Sequence, residues 1–181
     1  KPAGPVALSS EPASFPFLMP DGVSLRYYIP TTGGIYETNF AGTQVKAVAR
    51  IKPRAVGISW SHAGNVIIAR YVGANIRYDL ATGTSRTLDA KIRTPILSPV
   101  GDDVAYIFYD ETTGEGNISV ADSEFKAYKT VMQTRSTDWT MAWAGSDQLL
   151  LKSTAENGFD TIIGLKISTK ELMPIIRDLY Q

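Results

Sequence analysis

The chain has 181 residues, of which 44% are hydrophobic and 20% charged. Eighteen Lys and Arg balance eighteen Asp and Glu, so the formal net charge is zero, which excludes a generally basic nucleic-acid binder and a polyanionic tail. A chain this long can bury about 70% of its unfolded surface. No apolar run approaches the roughly 18 residues that a membrane-crossing helix needs, so no direct membrane insertion is expected.

The first residues are small, polar and Pro-rich. Lys1-Pro2-Ala3-Gly4-Pro5 and Ser9-Ser10-Glu11-Pro12-Ala13-Ser14 offer no face to pack, so residues 1–16 read as a linker. With no initiator Met and no signal-peptide pattern, Lys1 is expected to lie inside a longer gene product.

From residue 17 onward the chain repeats. Met19-Pro20-Asp21-Gly22, Ser61-His62-Ala63-Gly64, Ser98-Pro99-Val100-Gly101 and Trp143-Ala144-Gly145-Ser146 recur at intervals of about 40 residues. Each divides an incoming apolar stretch from an outgoing one. A second turn follows about twenty residues on in each unit, at Ala41-Gly42, Thr82-Gly83, Asp122-Ser123 and Ser168-Thr169. Asp21-Gly22 tolerates the positive φ of a tight hairpin, so Gly22→Val is expected to damage folding.

The segments between turns are short, β-branched and aromatic, as strands require. Val66–Tyr71, Val104–Tyr109 and Leu149–Leu151 are near-continuous apolar runs, expected to be buried on both faces. The following segments, such as Asn75–Asp79 and Asn117–Val120, are less apolar. The last of each unit, such as Ser85–Leu88 and Lys126–Thr130, are the most polar. Polarity therefore rises outward, from an inner strand to a wet rim. The predicted fold is all-β: four repeats of about 40 residues, each with four antiparallel strands, forming β-propeller blades. The predicted blades span 17–54, 55–92, 93–137 and 138–181.

Ile96–Tyr106, with Ser98-Pro99-Val100-Gly101-Asp102-Asp103 at its centre, resembles the Ser-Pro-Asp-Gly signature of TolB-like, WD-repeat-like propeller blades. Ile58–Gly64 is a degenerate copy, Met19–Gly22 keeps Pro-Asp-Gly, and the fourth copy keeps only Trp143 and Gly145. Arg26-Tyr27-Tyr28 and Asp138–Trp143 are also similar to stretches of uncharacterised bacterial envelope propellers. The resemblance implies a propeller and an extracytoplasmic, envelope setting, and leaves the activity open. The repeats resemble families with more than four blades. An open four-blade arc would expose two apolar faces. Further C-terminal blades, a homodimer completing the ring, or a small closed ring would each resolve this, in that order of expectation.

The candidate chemistry is sparse. There is no Cys and one His, so thiol nucleophiles are excluded and a standard zinc site is not expected. His62 sits at a turn position with no nucleophile motif beside it. Asp102-Asp103 and Asp110-Glu111 read as hairpin acids outside an EF-hand pattern. Gly33-Gly34 and Gly114-Glu115-Gly116 join strands and not a strand to a helix, unlike phosphate loops. No catalytic residue, metal or cofactor is expected. Arg26, Arg70 and Arg77 lie in or beside strands, either snorkelling to an edge or facing a ligand. Trp60, Trp139 and Trp143 read as packing between blades. If exposed with Tyr27, Tyr28 or Tyr71 they become binding anchors, since Trp, Tyr and Arg dominate hot spots. The candidate interaction surface is Trp60, Trp139, Trp143, Arg70, Arg77 and Tyr71. The expected role is a non-catalytic scaffold for a protein or peptide. The alternatives are the propeller domain of a larger hydrolase or peptidase, and a structural envelope or surface-layer component.

Overall fold

The glycine turns cut the chain where their conformational freedom is needed. Gly22, Gly64 and Gly101 all take positive φ, and the Gly22 and Gly64 amides close their turns on Met19 and Ser61. Between such turns the computed structural model, which describes residues 4, 6–154 and 159–180, forms strands and, among those residues, no helix. The first sheet is β1 (Ser14–Leu18), β2 (Ser24–Ile29), β3 (Gly34–Asn39) and β4 (Lys46–Arg50). The second is β5 (Gly57–Trp60), β6 (Val66–Tyr71), β7 (Ala74–Asp79) and β8 (Thr84–Thr87). The third is β9 (Ile92–Leu97), β10 (Asp103–Asp110), β11 (Glu115–Asp122) and β12 (Tyr128–Gln133). The fourth is β13 (Thr140–Trp143), β14 (Gln148–Thr154), β15 (Phe159–Lys166) and β16 (Glu171–Tyr180). Each sheet keeps its strands in sequence order, antiparallel throughout.

The chain divides into two compact units, Lys1–Thr87 and Leu88–Gln181, each holding two sheets. In the first, Tyr28 and Ile35 of one sheet meet Trp60, Ile67, Ala69 and Tyr71 of the other. In the second, Ala105, Ile107, Ile118, Val120 and Val131 meet Met141, Leu149, Leu151 and Leu165. Each fully buried aliphatic side chain contributes about 1.5–3 kcal/mol by leaving water.

Burial is concentrated in the two middle strands of the first and third sheets and, in the second sheet, peaks at β6. Val66, Ile67, Ile68 and Ala69 of β6 are all buried, whereas β8 is exposed along its whole length. The second strand is paired on both sides and covered on both faces, so it tolerates a continuous apolar run. The first strands are only partly buried.

The two units share a device at their first strands. Phe15 in β1 and Thr94 in β9 have φ of 53° and 43°, each directly before a proline. Both strands slip register there. Left-handed backbone at a residue with a Cβ costs about 1–2 kcal/mol. In each unit a tryptophan from the neighbouring first strand donates its indole N–H to this bulged strand: Trp60 to the Phe15 carbonyl at 3.0 Å, and Trp143 to the Ile96 carbonyl at 3.2 Å. At the other side of the first sheet, Ala7 to Glu11 lie alongside Tyr27, Ile29 and Tyr36. A Cβ on Gly42 would stand 3.0 Å from the Ala7 carbonyl oxygen.

Candidate functional site

Strand direction places three backbone segments of the first unit at one end: the β2–β3 turn, the connector from β4 to β5, and the β6–β7 turn. Hydrogen bonds stitch them together. The Arg54 amide donates to the Pro30 carbonyl, the Ile51 amide to Gly33, and the Val56 amide to Arg70. Three tyrosine hydroxyls complete the lock. Tyr28 and Tyr71 both donate to the Lys52 carbonyl, at 3.1 and 2.7 Å. The Ala55 amide donates to Tyr28, and the Lys52 amide to Tyr78. Tyr71 and Tyr78 share a hydrogen bond at 3.3 Å. Burial, then the Tyr78 hydroxyl, pushes the Tyr71 phenol up, so it stays protonated as a donor.

This rigid end carries Arg50, Lys52, Arg54 and Arg70, all exposed. Arg50 Nε donates to the Thr32 carbonyl, and Lys52 Nζ lies 5.1 Å from the centre of the Tyr71 ring. The Arg70 guanidinium covers Gly57, where a Cβ would meet Nε at 2.6 Å. None of the four forms an ion pair among the described residues. Beside them Val72 and Val56 are 93% and 57% exposed.

The six residues singled out from sequence divide. Trp60 is 8% exposed and stacks on Phe17 at 5.4 Å. Trp143 and Trp139 pack against the second core, and Trp139 donates its indole N–H to the Thr134 hydroxyl. Tyr71 is buried in the lock. Arg77 is half-buried in the middle of β7, opposite Arg86. Arg70 alone stands in the cationic end. Sequence reasoning missed Arg50, Lys52 and Arg54; their pattern, three cations in five residues running from the end of β4 into the connector, was the available signal.

The acids have local work. Asp110 accepts from the Thr112 amide and from Lys91 Nζ, Asp21 from Val23 and Ser24, and Asp147 from Ser168. Hydrogen bonding is the leading cause that holds each below the usual carboxylate range. Among the described residues no three His, Asp or Glu converge as a metal site. His62 is exposed in the β5–β6 turn. Arg26 pairs with Glu37 at 2.7 Å and reaches the Gly64 carbonyl at 2.7 Å, joining the two sheets of the first unit.

Four-stranded antiparallel sheets in sequence order, packed pairwise with first strands adjoining within each unit, are β-propeller blades. Solved structures agree with this fold. The chain is similar to a TolB from Agrobacterium tumefaciens described as putative in its source (TM-score 0.63, 12% identity, 91% of this chain and 65% of that one). It is also similar to an oligogalacturonate lyase in complex with manganese (0.62, 16%, 90% and 52%) and to the acylaminoacyl peptidase of Pyrococcus horikoshii (0.57, 13%, 92% and 32%). The chain thus spans less than two thirds of each. Neither a family model nor a curated protein matches the sequence.

Proposed function

We propose that the chain is a non-catalytic recognition platform for a protein or peptide. The observation that carries this reading is the loop end of the first unit, where hydrogen bonds fix the backbone while charged and apolar side chains stand in solvent. A rigid surface loses little ordering entropy on binding, which favours recognition. Panning a display library of random peptides on the purified chain tests it. The expected result is a set of ligands with Kd near or below about 10 µM. A turnover of substrate that one substitution abolishes would overturn it.

A second reading is favoured by the likeness to the acylaminoacyl peptidase, of which the chain spans a third: these blades would form the propeller of a larger hydrolase. The parent gene separates the two, since an adjoining α/β-hydrolase pattern selects the second. The likeness to TolB supports an extracytoplasmic, envelope setting, checked by fractionating cells that express the parent protein. Further blades of the parent protein, a second copy of this chain, or closure of the four blades as a small ring would each cover the outer blade faces, and mass in solution identifies the second.

A further inference from the structure

We propose that the cationic end of the first unit receives an acidic, partly apolar segment of a partner polypeptide. This rests on the platform reading and names its partner class. The turn at 30–34, the connector at 50–57 and the turn at 70–75 together contain four cations and no carboxylate. The nearest acid in the hydrogen-bond network is Glu11, which accepts from the Thr31 hydroxyl at 3.4 Å and pairs with none of the four.

The second unit shows what an end without such a vacancy for charge looks like. At the corresponding end Lys91 pairs with Asp110 at 2.8 Å and Arg93 pairs with Glu111. Its cations are thus largely answered from within. Four exposed like charges on stitched loops repel one another, and an external anion relieves that repulsion.

The surface itself selects the kind of anion. A single-stranded nucleic acid needs aromatic faces on which bases stack. Here Tyr28 and Tyr71 are buried, at 0% and 8% exposed, with their hydroxyls committed to the connector. What stands out instead is aliphatic: Val56 and Val72 beside the cations. Carboxylates spaced between apolar side chains match both features, with charge setting the encounter and the valines adding buried area.

The test uses the whole chain and a synthetic peptide of about a dozen residues alternating Glu with Val or Leu, followed by fluorescence anisotropy. The peptide is expected to bind, and raising salt from about 50 to about 500 mM to weaken it about tenfold or more. Lys52→Gln with Arg54→Gln, both solvent-facing, is expected to weaken binding about tenfold with the melting temperature kept. Lys52→Arg with Arg54→Lys keeps the charge and should keep the affinity, and Arg135→Gln in the second unit should change nothing. Equal binding of the matched peptide with Gln for Glu would overturn this proposal and leave the platform standing. So would binding indifferent to the Lys52 and Arg54 changes, or capture of an oligonucleotide or phosphatidylglycerol vesicles in place of the peptide. Silence toward every peptide, the random library included, would overturn both.

Discussion

Thr31-Thr32-Gly33 in the first unit and Thr112-Thr113-Gly114 in the second make the same turn in different surroundings. The Gly33 amide closes on Ile29 at 2.9 Å and the Gly114 amide on Asp110 at 2.8 Å. Both glycines are left-handed, at φ of 76° and 70°. A Cβ on Gly33 would sit on the Ile51 carbonyl oxygen, whereas one on Gly114 would meet open space. Local turn chemistry follows the sequence, and what is laid across the turn follows the tertiary fold. In the first unit the connector lies there and four cations stay unanswered. In the second, Asp110 and Glu111 take up Lys91 and Arg93.

The largest expected loss is at the paired tryptophans. Trp60→Ala should cost about 4 kcal/mol, because the buried indole loses its stacking on Phe17 and its bond to Phe15. Trp143→Ala, only partly buried, should cost about 2 kcal/mol. Chemical denaturation of the two variants checks the order, and equal losses would break the comparison. Gly33→Ala should cost about 3 kcal/mol, the sum of left-handed strain and a backbone clash, against about 1 kcal/mol for Gly114→Ala. Thermal melts read that difference. Tyr28→Phe leaves the Ala55 amide without its partner and should cost about 1–2 kcal/mol. It should also speed hydrogen exchange along the connector while leaving the second unit's amides alone.

The smallest contrast is in acid. The bond from Lys91 is the first cause that holds the Asp110 carboxyl below its usual range. A depressed carboxylate contributes stability above its unfolded pKa and loses it as pH falls through the folded one. Lowering pH from about 6 to about 2.5 should therefore loosen the second unit's turn. The turn at 30–34 holds no acid of its own and touches one only through the long 3.4 Å bond from the Thr31 hydroxyl to Glu11, so it should respond less. Amide exchange at Gly114 relative to Gly33, corrected for intrinsic rates, reads the effect.

Much of the fold was legible because it is written in short-range signals. Gly22, Gly64 and Gly101 mark the turns, and Val66–Tyr71 and Val104–Tyr109 carry their burial in their composition. Two features were not. Phe15 and Thr94 share only a following proline, and nothing in either residue type announces a left-handed backbone. The gathering of Arg50, Lys52 and Arg54 with Arg70 depends on strand direction and on tyrosine hydroxyls reaching a connector, which a linear reading does not join. Arg70 was singled out for its place beside a strand. Its company came from topology. Tyr71 and Trp60 stand among the candidate anchors; the Tyr71 hydroxyl instead holds the connector at Lys52, and the Trp60 indole holds the bulged first strand at Phe15.

The two apolar clusters, one around Tyr28 and Ile67 and the other around Ile107 and Leu149, give the chain more than one place to melt. Should a lesion in one half leave the other intact, heat uptake in a calorimeter would split into two peaks and a single midpoint would describe neither. A half-melted molecule of this kind retains much of its β spectrum and passes a coarse screen for misfolding. Surveys of damaging variants in this protein therefore need a reporter in each half.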